Sequence, residues 1–206
     1  MSNFTDEQLE NFFNRDLPTP IQQALIQCLF GSYRTAFDEC SHFPAKEAKD
    51  LRGFYRWVQL RYEMRGLGDR FNSLIATGED YHTLISAGRT KLIACSNHDP
   101  NSPLRVATYR LEYAQNSLDL FDPLPPPPSD EDYIFTVLEH GVDVLEPRQP
   151  AFANILFITK DMKIAHKLNL FAKHKSLIDS LRIPLGDYQE GLPDIRLNDI
   201  DEEASQ

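Results

Sequence analysis

One helix-length stretch, from about Ala45 to Arg65, constrains this fold more than any other part of the sequence. At about 100° per residue, Leu51, Phe54, Tyr55, Val58 and Tyr62 share one face, while Trp57, Leu60 and Met64 make a second apolar face. A helix that is apolar on two sides cannot stand alone in water. It is expected to be sandwiched between layers and therefore central to the fold. Arg61 and Arg65 fall between the two faces, where they would either pair with buried carboxylates or line a cleft.

The residues before it also read as helical. Thr5 followed by Asp6, Glu7 and Gln8 predicts an N-cap, with Leu9, Phe12 and Phe13 at helical spacing behind it. Asp16-Leu-Pro-Thr-Pro breaks that helix, and Thr19-Pro20 starts the next. Ile21, Ala24, Leu25, Cys28 and Leu29 form a helical stripe that Tyr33, Ala36, Phe37 and Cys40 extend past Gly31.

Beyond residue 70 the period changes. Thr90–Ser96 has strand length and ends in an Asn/Asp/Pro/Ser cluster. Leu104–Tyr113 is rich in β-branched and aromatic residues, so the two runs are expected to form a hairpin with a long loop. Tyr133–Leu138 is a candidate strand with helix as the alternative, and Phe152–Thr159 is the clearest buried strand. Residues 162–171 fit either a helix or the return arm of a hairpin, and a helix is expected to follow. Pro125–Pro128 imposes an extended path of about 12 Å at ~3.1 Å per residue, which suits a stiff surface crossover within one domain.

These elements predict an α+β fold. A helical N-terminal layer packs on a small, largely antiparallel sheet, with a C-terminal helix. The expected organisation is a single domain over 1–183, with a helical part at about 1–70, a sheet-containing part at about 76–183 and a Pro-rich crossover at 123–132. An acidic tail occupies 184–206.

Charge narrows the partners. The net charge is −10, which disfavours nucleic acid and anionic membranes unless charge is segregated. Residues 46–70 carry seven bases against four acids, and 160–182 carry six against two. Two basic faces on an acidic body would result, offering a possible nucleic-acid contact, unless internal salt bridges absorb them. Three sparse cysteines and an N-terminus with acids in place of a basic leader predict a soluble cytoplasmic protein with reduced thiols. No run is long enough to span a membrane.

Candidate chemistry is thin. Cys95-Ser-Asn-His98 supplies two ligands of the four a structural zinc needs, and lacks an oxyanion loop for nucleophilic work, so no metal site is assigned. Asp143 with Asp161-Met-Lys163 has the order of a metal-dependent nuclease core, in which the acids bind Mg²⁺ and the lysine orients water. Glu139-His-Gly-Val-Asp143 reads as a surface loop. His166 and His174, eight residues apart, would share one side of a helix and, with Lys163, Lys167, Lys173 and Lys175, could contact phosphates. No P-loop, dinucleotide fingerprint, H-E-x-x-H or G-x-S-x-G occurs. The leading expectation is a protein-binding accessory or regulatory module without catalysis or cofactor. Arg61, Arg65, Lys163, Lys167, His166 and His174 are its candidate binding residues. The alternative is a Mg²⁺-dependent nuclease or nucleic-acid-processing protein using Asp143, Asp161 and Lys163.

Overall fold

The structure, a computed structural model, describes residues 4–79, 81–120 and 132–182. The Pro-rich crossover, apart from Asp132, and the acidic tail lie outside the described residues. The fold is α+β, as expected. Helix α1 (Asp6–Asp16) opens with a full capping box: the Thr5 hydroxyl accepts from the Gln8 amide at 3.2 Å, and the Gln8 side chain accepts from the Thr5 amide at 2.9 Å. Helix α2 (Thr19–Glu39) carries Pro20 in its first turn and runs unbroken through Gly31. Helix α3 (Ala45–Arg70) runs through the Gly66-Leu-Gly68 stop read from the sequence and ends two residues beyond it.

Six strands follow: β1 (Ile75–Gly78), β2 (Thr83–Ala87), β3 (Thr90–Ser96), β4 (Ile134–Val142), β5 (Pro150–Ile158) and β6 (Ile164–Asn169). They form one sheet in chain order, with β3–β4 the single parallel pairing and the other four antiparallel. The 162–171 ambiguity therefore resolves to a strand. Two short helices, α5 (Leu170–Lys173) and α6 (Lys175–Leu181), close the described chain.

The predicted hairpin of 90–96 with 104–113 does not form. Instead Thr108–Gln115 is helix α4. Parallel neighbours need a long crossover, and such a crossover is usually helical. Tyr109, Arg110, Tyr113 and Ala114 repeat at helical spacing and turn toward the sheet, so tertiary packing overrides local β-propensity.

Two cores flank the sheet. On one face, α1, α2 and α3 pack over Ile85, Leu92, Ile134, Leu138, Ile155 and Phe157. On the other, α4 covers Ile93, Phe135, Val137, Leu156 and Ile158. Strands β4 and β5 are buried on both sides, which explains their near-continuous apolar runs. Phe13 meets Phe157 edge-on at 6.1 Å and joins the helical layer to the sheet.

The central helix is α2, not α3. It packs against both α3 and β5, with Leu25, Leu29, Phe30 and Tyr33 fully buried. Helix α3 buries only Ala48, Leu60, Met64 and Leu67. Its other apolar face, expected in the core, lies in solvent, with Phe54 60% and Tyr62 71% exposed. No layer covers it among the described residues. Phe157→Ala should cost about 3–5 kcal/mol in chemical denaturation, while Tyr62→Ala should stay within about 0.5 kcal/mol of wild type. Comparable losses would contradict this assignment of core and surface.

Candidate functional site

Strands β2 and β3 pair only from Ile85↔Leu92 to Ala87↔Thr90. Beyond that point β2 continues against β1 back to Thr83, and β3 continues against β4 to Ser96. The sheet therefore splits, and a cleft of about 220 Å³ opens at the split. One wall is α3 with the loop before β2. The Thr83 hydroxyl donates to the Arg61 carbonyl at 3.0 Å, the Trp57 indole donates to the Tyr81 carbonyl at 3.1 Å, and the Arg61 guanidinium donates to the Glu79 carbonyl. The other wall is the end of β3 with Arg105 and α4.

Four arginines line the cleft: Arg56 and Arg61 from α3, Arg105 from the loop and Arg110 from α4. No aspartate or glutamate lines it among the described residues. Aromatic rings hold the guanidiniums in place of carboxylates. Arg56 lies 4.8 Å over Tyr33, Arg61 lies 4.7 Å over Trp57, and Arg110 lies 5.4 Å over Tyr109. Arg110 also donates to the Cys95 thiol at 2.8 Å. Its Nε, and those of Arg61 and the Nδ1 of His82, are buried without a hydrogen-bond partner.

Two histidines border this charge. His82 stacks on Tyr109 at 4.3 Å and meets the Tyr113 hydroxyl at 3.2 Å through Nε2. Burial lowers its pKa first of all; Arg61 and Arg110 add to the effect and Glu79 opposes it. His140 on β4 shares a 2.9 Å hydrogen bond with the buried Tyr33 hydroxyl. Burial, reinforced by Arg56, takes its pKa down to about 3. Burial raises the Cys95 thiol despite Arg110, which leaves it a poor nucleophile.

The expected surface loop at Glu139–Asp143 is instead largely strand. Glu139 and His140 are buried on opposite faces of β4. Glu139 accepts from Asn97 at 3.0 Å and Asn154 at 3.1 Å, and Lys167 lies 3.4 Å away, so this buried carboxylate is fully engaged.

The nuclease residues do not meet. Asp143 sits beside Gln149 at the start of β5, where it accepts from the Leu145 and Glu146 amides. Asp161 and Lys163 pair in the turn after β5, and Asp161 accepts from the Thr159 hydroxyl. Nine strand residues separate the sites. That is roughly 27 Å at ~3 Å each, beyond the reach of one metal ion. The turn that holds Asp161 leads into β6. His98 is exposed, and its amide donates to the Asn97 side chain at 3.0 Å.

Nor do the 160–182 residues form one face. His166, on β6, contacts Asp6 at 3.2 Å and Glu10 at 2.9 Å. His174, between α5 and α6, is buried against Gln22 at 2.9 Å. Lys167 is engaged by the Pro100 carbonyl and Glu139, and Lys173 by Asn14. Internal pairing accounts for much of this basic window. In the 46–70 window, Arg61 lines the cleft, whereas Arg65 lies outside it against Gly78. Sequence reading missed Arg56, Arg105, Arg110 and His82. Their only local signal is arginine beside an aromatic, in Arg56-Trp57 and Tyr109-Arg110.

A histidine held neutral by burial stabilises the fold fully above its unfolded pKa near 6.5, and that contribution falls as pH drops toward the folded value of about 3. His82 and His174, also lowered by burial, act in the same direction. Urea midpoints should therefore decline from pH 6.5 to 4, and His140→Gln should flatten that decline. Equal slopes in both proteins would contradict the burial argument. No protein-family model matches the chain, and no curated protein or solved structure matches it either.

Proposed function

We propose that this chain is a cytoplasmic, non-enzymatic accessory or regulatory module that binds an acidic segment of another protein. One observation carries the proposal: four arginines converge on a cleft lined by no described carboxylate, in a chain of net charge −10. Such a local inversion of charge attracts an anionic partner while the acidic body repels indiscriminate binding to anions.

The surface next to the cleft supports a macromolecular partner. Phe54, Tyr55, Val58 and Tyr62 lie exposed along α3, and Trp57 with Arg61 joins that stripe to the cleft. Aromatic and arginine side chains at the centre of an interface contribute most of the binding energy. A segment that alternates acids with apolar residues would complement both surfaces. A long nucleic acid would need a further basic face, and the other basic window is partly consumed by internal pairs.

Two further facts fit the setting. The three cysteines are free thiols, which suits a reducing compartment. No helix among the described residues is long and apolar enough to cross a membrane. The proposed role asks for no cofactor.

The test starts with affinity capture from native lysate and proceeds to reconstitution of the captured partner from purified proteins. Arg61→Glu and Tyr62→Ala should each weaken the purified complex about tenfold or more, and Lys175→Glu should leave it unchanged. Equal affinity in all variants, or a complex that nuclease treatment dissolves, would sink the proposal.

A further inference from the structure

We infer that the cleft contains a subsite for a phosphate monoester, so that the acidic segment proposed above engages it through a phosphorylated side chain. The inference rests on that protein-binding function for its biological carrier, but the subsite itself can be tested alone.

Charge is the first reason. Arg56, Arg61, Arg105 and Arg110 face one space. A single carboxylate would leave most of that charge unopposed. A phosphate monoester brings about −1.5 to −2 charges and three acceptor oxygens at neutral pH. Guanidinium is also the group best shaped to bind phosphate through paired N–H donors.

The second reason is that the donors are already in place and lack partners. Arg110 is 7% exposed with its Nε unbonded, and His82 is 6% exposed with its Nδ1 unbonded; both line the cleft. The half-buried Arg61 offers a third unbonded nitrogen. Buried polar groups left open in this way are rare unless a ligand or water completes them. The rings under Arg56, Arg61 and Arg110 restrict where each guanidinium points, so less freedom is lost on binding.

Size gives the third reason. A volume of about 220 Å³ is several times the ~30 Å³ share of one water and below the ~300 Å³ of typical drug-sized pockets. It suits a phosphate with the first part of its carrier. The stacked His82–Tyr109 pair and Trp57 offer flat surfaces for that carrier.

Trp57 is the only tryptophan in the chain, so its fluorescence reports directly on the cleft. Titration of the full chain with phenyl phosphate should saturate at one site, and calorimetry should give an affinity about tenfold or more above that for benzoate. Arg61→Gln and Arg105→Gln, at half-buried and exposed positions, should each weaken phenyl phosphate about tenfold with an unchanged thermal midpoint, while Lys175→Gln should have no effect. No saturable signal, equal affinity for benzoate, or unchanged binding in both arginine variants overturns the subsite. If the partner complex survives that result, the protein-binding function stands without the phosphate. If phenyl phosphate binds as expected and no partner is found, the subsite stands and the protein-binding function falls.

Discussion

Asp16 decides where the β2–β3 hairpin stays closed, and so where the sheet can open. Its carboxylate accepts from the Arg89 amide at 2.9 Å and the Thr90 hydroxyl at 3.0 Å, with the Arg15 guanidinium at 2.7 Å. Gly88 between the strands has φ +51°, and a Cβ there would sit 2.6 Å from the Asp16 carboxylate. Only glycine meets both demands at low cost. The turn end of the hairpin is thus fixed to the C-terminus of α1. At the other end, β2 is held by α3 through Thr83, while β3 follows β4. Two walls tied to different partners define the cleft, and the packed helices behind them keep it from closing.

The electrostatics follow from that separation. Each wall carries arginines, and no described aspartate or glutamate lines the space between them. Aromatic faces support the guanidinium planes without neutralising them. Charge elsewhere is handled differently: Glu139 is buried with Asn97, Asn154 and Lys167, and His166 is flanked by Asp6 and Glu10. Among the described residues, four arginines meet in a concave site that no carboxylate lines. Association through such a cleft should depend strongly on ionic strength.

Much of the helical layer was legible because its signals are local. The Thr5 capping box and the α2 stripe each lie within a few residues, and the structure reproduces both. Helix α3 shows the limit of periodicity. Its two apolar faces are equally evident in sequence, yet only the Leu60–Met64 face has a neighbour to pack against, and nothing local says which face that will be. Residues 104–113 have the composition of a strand, yet Thr108–Gln115 forms α4 because a parallel crossover needed a covering helix. Short β1 and β2, rich in Thr, Ser, Ala and Gly, offered no apolar run to read.

The cleft was the least legible part. Arg61 was singled out for lying between the faces of α3, but Arg105 and Arg110 come from more than forty residues downstream and reach it only through sheet register. A spacing motif cannot express such a meeting. Conversely, Asp143 and Asp161 had plausible order and were separated by the length of β5.

The most direct test of the cleft is nitrogen-15 NMR of the arginine Nε–H groups during titration with phenyl phosphate. The account predicts that the Arg61 and Arg110 resonances shift together and saturate, while Arg15, already bound to Asp16, stays in place. Unmoved Arg61 and Arg110 signals, with shifts confined to residues 160–182, would contradict it.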